Sequence, residues 1–190
     1  MEKFRAELGD YVRELYEGER KVLVHGEGVL GARVMLIGEA PGAQESLEGR
    51  PFVGKAGKNL DEFLAGAGIE RRELFISNTV KFRPTRVSAA GRTVNRPPTQ
   101  EEIELFLPWL RREIALVDPE CVVTLGNVPL RALLGRDLTI GEAHGQFYDM
   151  AGRTLYAMYH PASVIYNPAL REVYREDLRR LSAWLLADFT

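Results

Sequence analysis

The stretch from Arg33 to Gly42, RVMLIGEAPG, constrains the fold of this chain more than any other. Val34 to Ile37 form an apolar run of strand length with no alternation, the pattern of a strand buried on both faces in a parallel sheet. Gly38 ends the run and hands Glu39, Ala40, Pro41 and Gly42 to the carboxyl edge of that sheet, where open α/β folds bind their ligands. Glycines at 38 and 42 let backbone approach a substrate closely, and Pro41 fixes a tight turn with a carboxylate beside it. This edge is where chemistry is expected.

The rest of the chain supplies alternating helices and strands. Phe4, Leu8, Tyr11, Val12, Leu15 and Tyr16 predict an amphipathic helix over 2–17 that packs on the sheet. A turn-rich connection, His25 to Gly31, precedes the first strand, and His25 reads as a packing residue. Ala56, Leu60, Phe63, Leu64 and Ala67 predict a crossover helix over 55–67, stopped by Gly66 and Gly68. Strand 74–78 then delivers Asn78 to the same edge as Glu39. Residues 81–98 form a long basic loop carrying Lys81, Arg83, Arg86, Arg92 and Arg96, and loops of that length are usually functional or disordered. Thr99 and Glu102 open a helix with a capping box that Pro108 should bend or restart and that ends near Val117. Strand 121–125, a short helix through Leu134, and a turn at Gly135 and Arg136 follow. A hairpin-like pair of arms ends in His160-Pro161, and a final helix spans 169–187. Strands alternating with helices predict a three-layer α/β/α sandwich with a mainly parallel central sheet.

At 190 residues, 45% apolar and 27% charged, the chain is expected to form one domain over 1–190. No apolar run reaches membrane-spanning length, and the N-terminus is too charged for a signal peptide, so a cytoplasmic protein without membrane association is expected. The net charge of −2 offers no global attraction to nucleic acid, leaving the basic loop as its candidate contact. The single cysteine, Cys121, reads as a small hydrophobe in a strand and implies neither disulfide nor metal cluster.

Three strand ends thus carry Glu39, Asn78 and His160, and RPFVG at 50–54 adds Phe52. An aromatic ring can stack on a flat base, and an asparagine amide can read an imide edge with one donor and one acceptor. A histidine can donate to an oxygen that gains negative charge as a base departs, and a carboxylate can orient water. Together these are the parts of a base-excising pocket.

GEAPG at 38–42, GRPFVG at 49–54, SNTVK at 77–81 and HPA at 160–162 resemble the motifs of the uracil-DNA glycosylase superfamily, closest to its family 4 members, and the likeness runs from about residue 20 to 180. It implies a monofunctional glycosylase that flips uracil out of DNA and cleaves its N-glycosidic bond. Phe52 would stack on the base, Asn78 would read its edge, backbone around Ala40 and Gly42 would line the other side, and His160 would stabilise O2 of the departing uracilate. The water-orienting role falls to Glu39 or Glu45, because Ala40 occupies the place where other branches carry Asp or Asn. Ser163, Val164 and Ile165 fall where the resemblance puts the loop that enters the duplex, with Val164 and Ile165 as apolar wedges and Tyr166 next. Lys81, Arg83 and Arg86 would hold phosphates.

The resemblance also implies a four-cysteine iron–sulfur cluster, yet the corresponding positions are Tyr11, Glu14, Phe82 and Phe106. One cysteine cannot replace four thiolates, so no cofactor is expected, and Phe82 and Phe106 should fill the volume instead. The partner expected is uracil-containing DNA, bound by a monomer. Two other readings stand beside the leading one: a non-enzymatic module for uracil or abasic sites, and a glycosylase for hypoxanthine or xanthine.

Overall fold

The computed structural model describes residues 1–135 and 137–187. Its centre is a six-stranded sheet of β1 (Glu27–Gly28), β2 (Val34–Gly38), β3 (Phe75–Asn78), β6 (Cys121–Leu125), β7 (Phe147–Met150) and β8 (Arg153–Met158), in the order β1-β3-β2-β6-β8-β7. β3, β2, β6 and β8 run parallel, while β1 and β7 pair antiparallel at the two edges. Every residue of β2, β3 and β6 is buried, so β2 reads as an unbroken apolar run and the polar Ser77, Asn78 and Thr124 of the other two are enclosed as well.

Strand geometry sends alternate side chains to opposite faces, and two cores follow. Val34 and Leu36 point with Ile76, Val123 and Tyr156 towards α3 (Lys55–Gly66) and α8 (Leu170–Ala187), meeting Leu60, Phe63, Leu64, Tyr174, Leu178 and Leu181. Met35 and Ile37 point the other way with Phe75, Val122 and Leu155. They meet Leu110, Ile114 and Val117 of α4 (Gln100–Val117) and Leu130 and Leu133 of α5 (Asn127–Leu134). Helices cover both faces of a mainly parallel sheet, as the alternation of elements predicts.

Several local expectations are corrected. α1 (Glu2–Leu15) does not pack on the sheet. Its Phe4, Leu8 and Val12 join Val80, Phe82 and Phe106 in a third cluster beside it. Pro108 does not restart α4, which runs through it from a Thr99 cap; Pro108 is exposed, so the carbonyl deprived of its helical donor faces water. The basic loop contains a two-stranded antiparallel ribbon, β4 (Thr85–Val87) with β5 (Thr93–Asn95). Three short helices, α2 (Ala43–Glu48), α6 (Ile140–Ala143) and α7 (Ser163–Tyr166), lie in segments too short for periodicity to signal. Gly135 caps α5 at φ 60°, and Arg136 lies outside the described residues, as do the last three residues of the expected domain.

Candidate active site

Parallel register brings Gly38 of β2 opposite Asn78 of β3 at the carboxyl edge of the sheet. There a cavity of about 620 Å³ is lined by Ala40, Gly42, Glu45, Phe52, Asn78 and His160, among others. Phe52 and His160 stand with ring centroids 5.7 Å apart and planes inclined by 31°. A side chain at position 38 would collide with Asn78 Oδ1 and come within 2.5 Å of Phe52 Cζ, so the absence of one lets the ring and the amide meet over the strand end.

The Phe52 backbone is held in an unusual state. Its φ of 53° is a left-handed conformation that costs a residue with a side chain about 1–3 kcal/mol. Two features sustain it. Arg71 donates to the carbonyls of Pro51 at 2.8 Å and Phe52 at 2.9 Å, and Gly57 in α3 leaves room for the Phe52 carbonyl, which a Cβ there would strike. Arg71 carries no motif, so nothing in the sequence pattern singles it out.

Glu45 joins the two loops of the pocket. Its Oε2 accepts from Gly42 N at 3.2 Å, and its Oε1 accepts from Val53 N at 3.1 Å and Gly54 N at 2.9 Å. Both oxygens accept from backbone amides, so Glu45 clamps the two loops together while also lining the cavity. Glu39 is half-buried, makes no side-chain hydrogen bond among the described residues, and does not line the cavity wall. Burial pushes its carboxyl above the usual range.

His160 follows β8. Burial pushes its imidazole down to about 4, against an opposing pull from the Glu45 carboxylate, so it is neutral near pH 7. The amide of Ala162 donates to Nδ1 at 3.1 Å, which places the ring proton on Nε2. Nε2–H is therefore the donor available to a bound molecule.

The expected DNA contacts divide sharply. Lys81 is completely buried and donates to Glu113, Ser77 and the Asn78 carbonyl, so the expectation that it holds a phosphate is overturned. Arg96 is paired with Glu102 through both terminal nitrogens, and Arg83 Nε donates to Asn95 Oδ1 at 2.6 Å. Arg86 and Arg92 are exposed on the ribbon and make no ion pair among the described residues. Val164 is buried against the core and is corrected from wedge to packing residue, whereas Ile165 and Tyr166 are 43% and 86% exposed and line the cavity. Ser163 is half-buried, its amide donating to the His160 carbonyl at 2.8 Å. Asn95, Gln44 and Lys55 also line the cavity, and no sequence signal marks any of the three, because a loop's fold is not written in local periodicity.

Tyr11, Phe82 and Phe106 share the third apolar cluster, with Phe82 and Phe106 centroids 5.7 Å apart and Phe82 and Tyr16 at 5.4 Å. Glu14 is exposed. Cys121 lies elsewhere, in β6, where burial pushes its thiol up to about 12. This donor set does not fit an iron–sulfur cluster, which needs ionised thiolates.

Residues 25–181 match the uracil DNA glycosylase superfamily. The chain is similar to the type-4 uracil-DNA glycosylase of Pyrobaculum aerophilum, at 41% identity over 84% of this chain and 81% of that one. It is also similar to the type-4 uracil-DNA glycosylase of Archaeoglobus fulgidus, at 36% identity over 92% and 91%. The fold resembles the crystal structure of Pedobacter heparinus SMUG2, with a TM-score of 0.57 and 14% identity over 98% of this chain and 84% of that one.

Proposed function

Because this chain belongs to the uracil DNA glycosylase superfamily, we propose that it is a uracil-DNA glycosylase that hydrolyses the N-glycosidic bond of uracil flipped out of DNA. The observation that carries this reading is the meeting of Phe52, Asn78 and His160, far apart in sequence, around one cavity. In it, uracil stacks on Phe52 and presents its polar edge to the Asn78 amide. Backbone of Ala40 and Gly42 forms the facing wall. As the bond between N1 and C1′ breaks, its electron pair passes to the base, and the neutral His160 donates Nε2–H to the O2 that gains the charge. Water adds its oxygen to C1′, and the proton it loses passes, directly or through solvent, to the uracilate, giving neutral uracil and the abasic sugar. Glu39 neighbours Ala40 of the cavity wall and its carboxylate makes no hydrogen bond among the described residues, while Glu45 lines the cavity itself. We assign the orienting of that water to Glu39, with Glu45 as the alternative, and a neighbouring anion also steadies the cationic sugar.

We assign DNA binding to Arg83, Arg86 and the neighbouring Arg92 for phosphates, and to Ile165 with Tyr166 for the space left by the flipped nucleotide. Residues 82–100 contain no carboxylate side chain, which supports an anionic partner there. The protein acts as a monomeric single domain in the cytoplasm in this reading; no described helix is long and apolar enough to cross a membrane.

Labelled oligonucleotides containing U, hypoxanthine, xanthine or T, treated with the protein and then with alkali, test the proposal. Alkali-labile breaks at U alone are expected. Tight binding without breaks would instead favour a module for uracil or abasic sites, and breaks at the purines a wider base range.

A further inference from the structure

Lys81 and Glu113 form an ion pair that the proposed chemistry does not use and that packing alone does not explain. Lys81 Nζ lies 2.5 Å from Glu113 Oε2, 2.6 Å from Ser77 Oγ and 2.7 Å from the carbonyl oxygen of Asn78. Ser77 Oγ also donates to Glu113 Oε2 at 2.8 Å. Lys81, Glu113 and Ser77 are at most 1% exposed.

Glu113 occupies a core position on α4, in line with Phe106, Leu110 and Val117, where an apolar side chain would be the ordinary occupant. An apolar pair of similar volume is often as stable as a buried ion pair or more so, because desolvating two charges is costly. Stability therefore does not account for its presence. Its location does.

β2 ends at Gly38, so the carbonyl of Asn78 has passed the end of the ladder with its neighbour. The chain beyond stays hydrogen-bonded to the segment that follows β2, with Thr79 N donating to the Gly38 carbonyl and Val80 N to that of Glu39. The Lys81 side chain reaches back along this segment, and its ammonium donates to the Asn78 carbonyl. Ser77 and Glu113 hold the ammonium on its other side.

We propose that Lys81, steered by Glu113, is a positioning residue that fixes the Asn78 peptide and so sets the angle at which the Asn78 amide meets the base. The proposal rests on the reading of Asn78 as the base-reading residue. A side chain rooted in a mobile peptide would sweep its amide through a range of positions, and a misplacement of about 1 Å can cost about 100-fold in rate.

The test is the double variant Lys81→Met/Glu113→Leu, which removes both charges at similar volume. Its thermal midpoint should stay close to that of the parent, its affinity for uracil-containing DNA should hold, and its single-turnover rate of uracil release should fall by about 10- to 100-fold. A merely structural pair predicts the opposite, recovery of rate along with stability. A folded double variant that releases uracil at the parent rate overturns the proposal. Should the double variant not fold, Glu113→Asp decides: it keeps both charges and draws the ammonium away from Asn78, so kcat should drop about 10-fold at unchanged KM, and parental kcat would refute the role. Parent protein and Asn78→Ala are measured alongside. If Asn78→Ala retains full activity, the base-reading assignment fails by itself; if it is inactive while the double variant is not, only the positioning role fails.

Discussion

Asn78, His160 and Glu39 each present a different kind of atom, and each makes a separate prediction. Asn78 is buried at the end of β3, and its side chain faces the cavity, not a core cluster. Asn78→Ala should cut uracil release by at least about 100-fold, the usual loss for one polar group acting in a transition state, while the thermal midpoint moves little. Gly38→Ala should be equally inactive, because its methyl would drive Phe52 and Asn78 apart. For His160, nitrogen NMR at pH 6 should show the neutral Nε2–H tautomer, since burial holds its protonation near pH 4 and the Ala162 amide occupies Nδ1. A doubly protonated ring at that pH would contradict the proposed donor. Glu39 acts as an anion, so activity should fall as pH drops through its carboxyl value. Burial raises that value, which moves the acid limb of the rate profile above the ordinary glutamate range near about 4.3. Glu39→Gln should lower the rate and abolish the limb; a limb that persists in the variant belongs to another group.

The ribbon of β4 and β5 is the element that departs furthest from expectation. Pairing of Arg86 with Val94 and of Thr85 with Asn95 puts Arg86 and Val94 on one face and Thr85, Val87, Thr93 and Asn95 on the other, with Arg92 exposed in the connection just before β5. Its root is anchored, since Arg96 joins Glu102 at the start of α4 and donates Nε to the Thr85 carbonyl at 3.0 Å. A fixed arm carrying two arginines with no ion pair among the described residues suits the phosphate backbone. Replacing Arg86 and Arg92 together with alanine should weaken DNA binding without sequence bias. The slope of log affinity against log salt should become shallower by about 0.9 for each phosphate that the variant no longer neutralises. An unaltered slope would remove the ribbon from the DNA interface.

At the scale of the whole molecule, the third apolar cluster ties α1, the segment after β3 and α4 together where the family resemblance implies a metal cluster. Phe106 is fully buried there, so Phe106→Ala should cost about 3–5 kcal/mol in denaturant unfolding. Purified protein carrying stoichiometric iron would count against this account of the cluster region. The parallel sheet, its two covering layers and the strand ends that bear Glu39, Asn78 and His160 were legible in the chain, because buried strands and amphipathic helices imprint a local hydrophobic period. What lies between them was not. Whether Lys81 meets a phosphate or a carboxylate depends on Glu113, 32 residues away, and the fate of Glu45 depends on amides at 53 and 54. Arg71 reaches the Phe52 backbone from beyond α3, and Val164 turns inward because α8 passes beside it. The sequence alone determined which residues arrive at the sheet edge, since strand period and length are local properties. Only the tertiary structure decided which of them face the cavity and which are taken by one another, because hydrogen bonds and burial are settled between segments the chain order keeps apart.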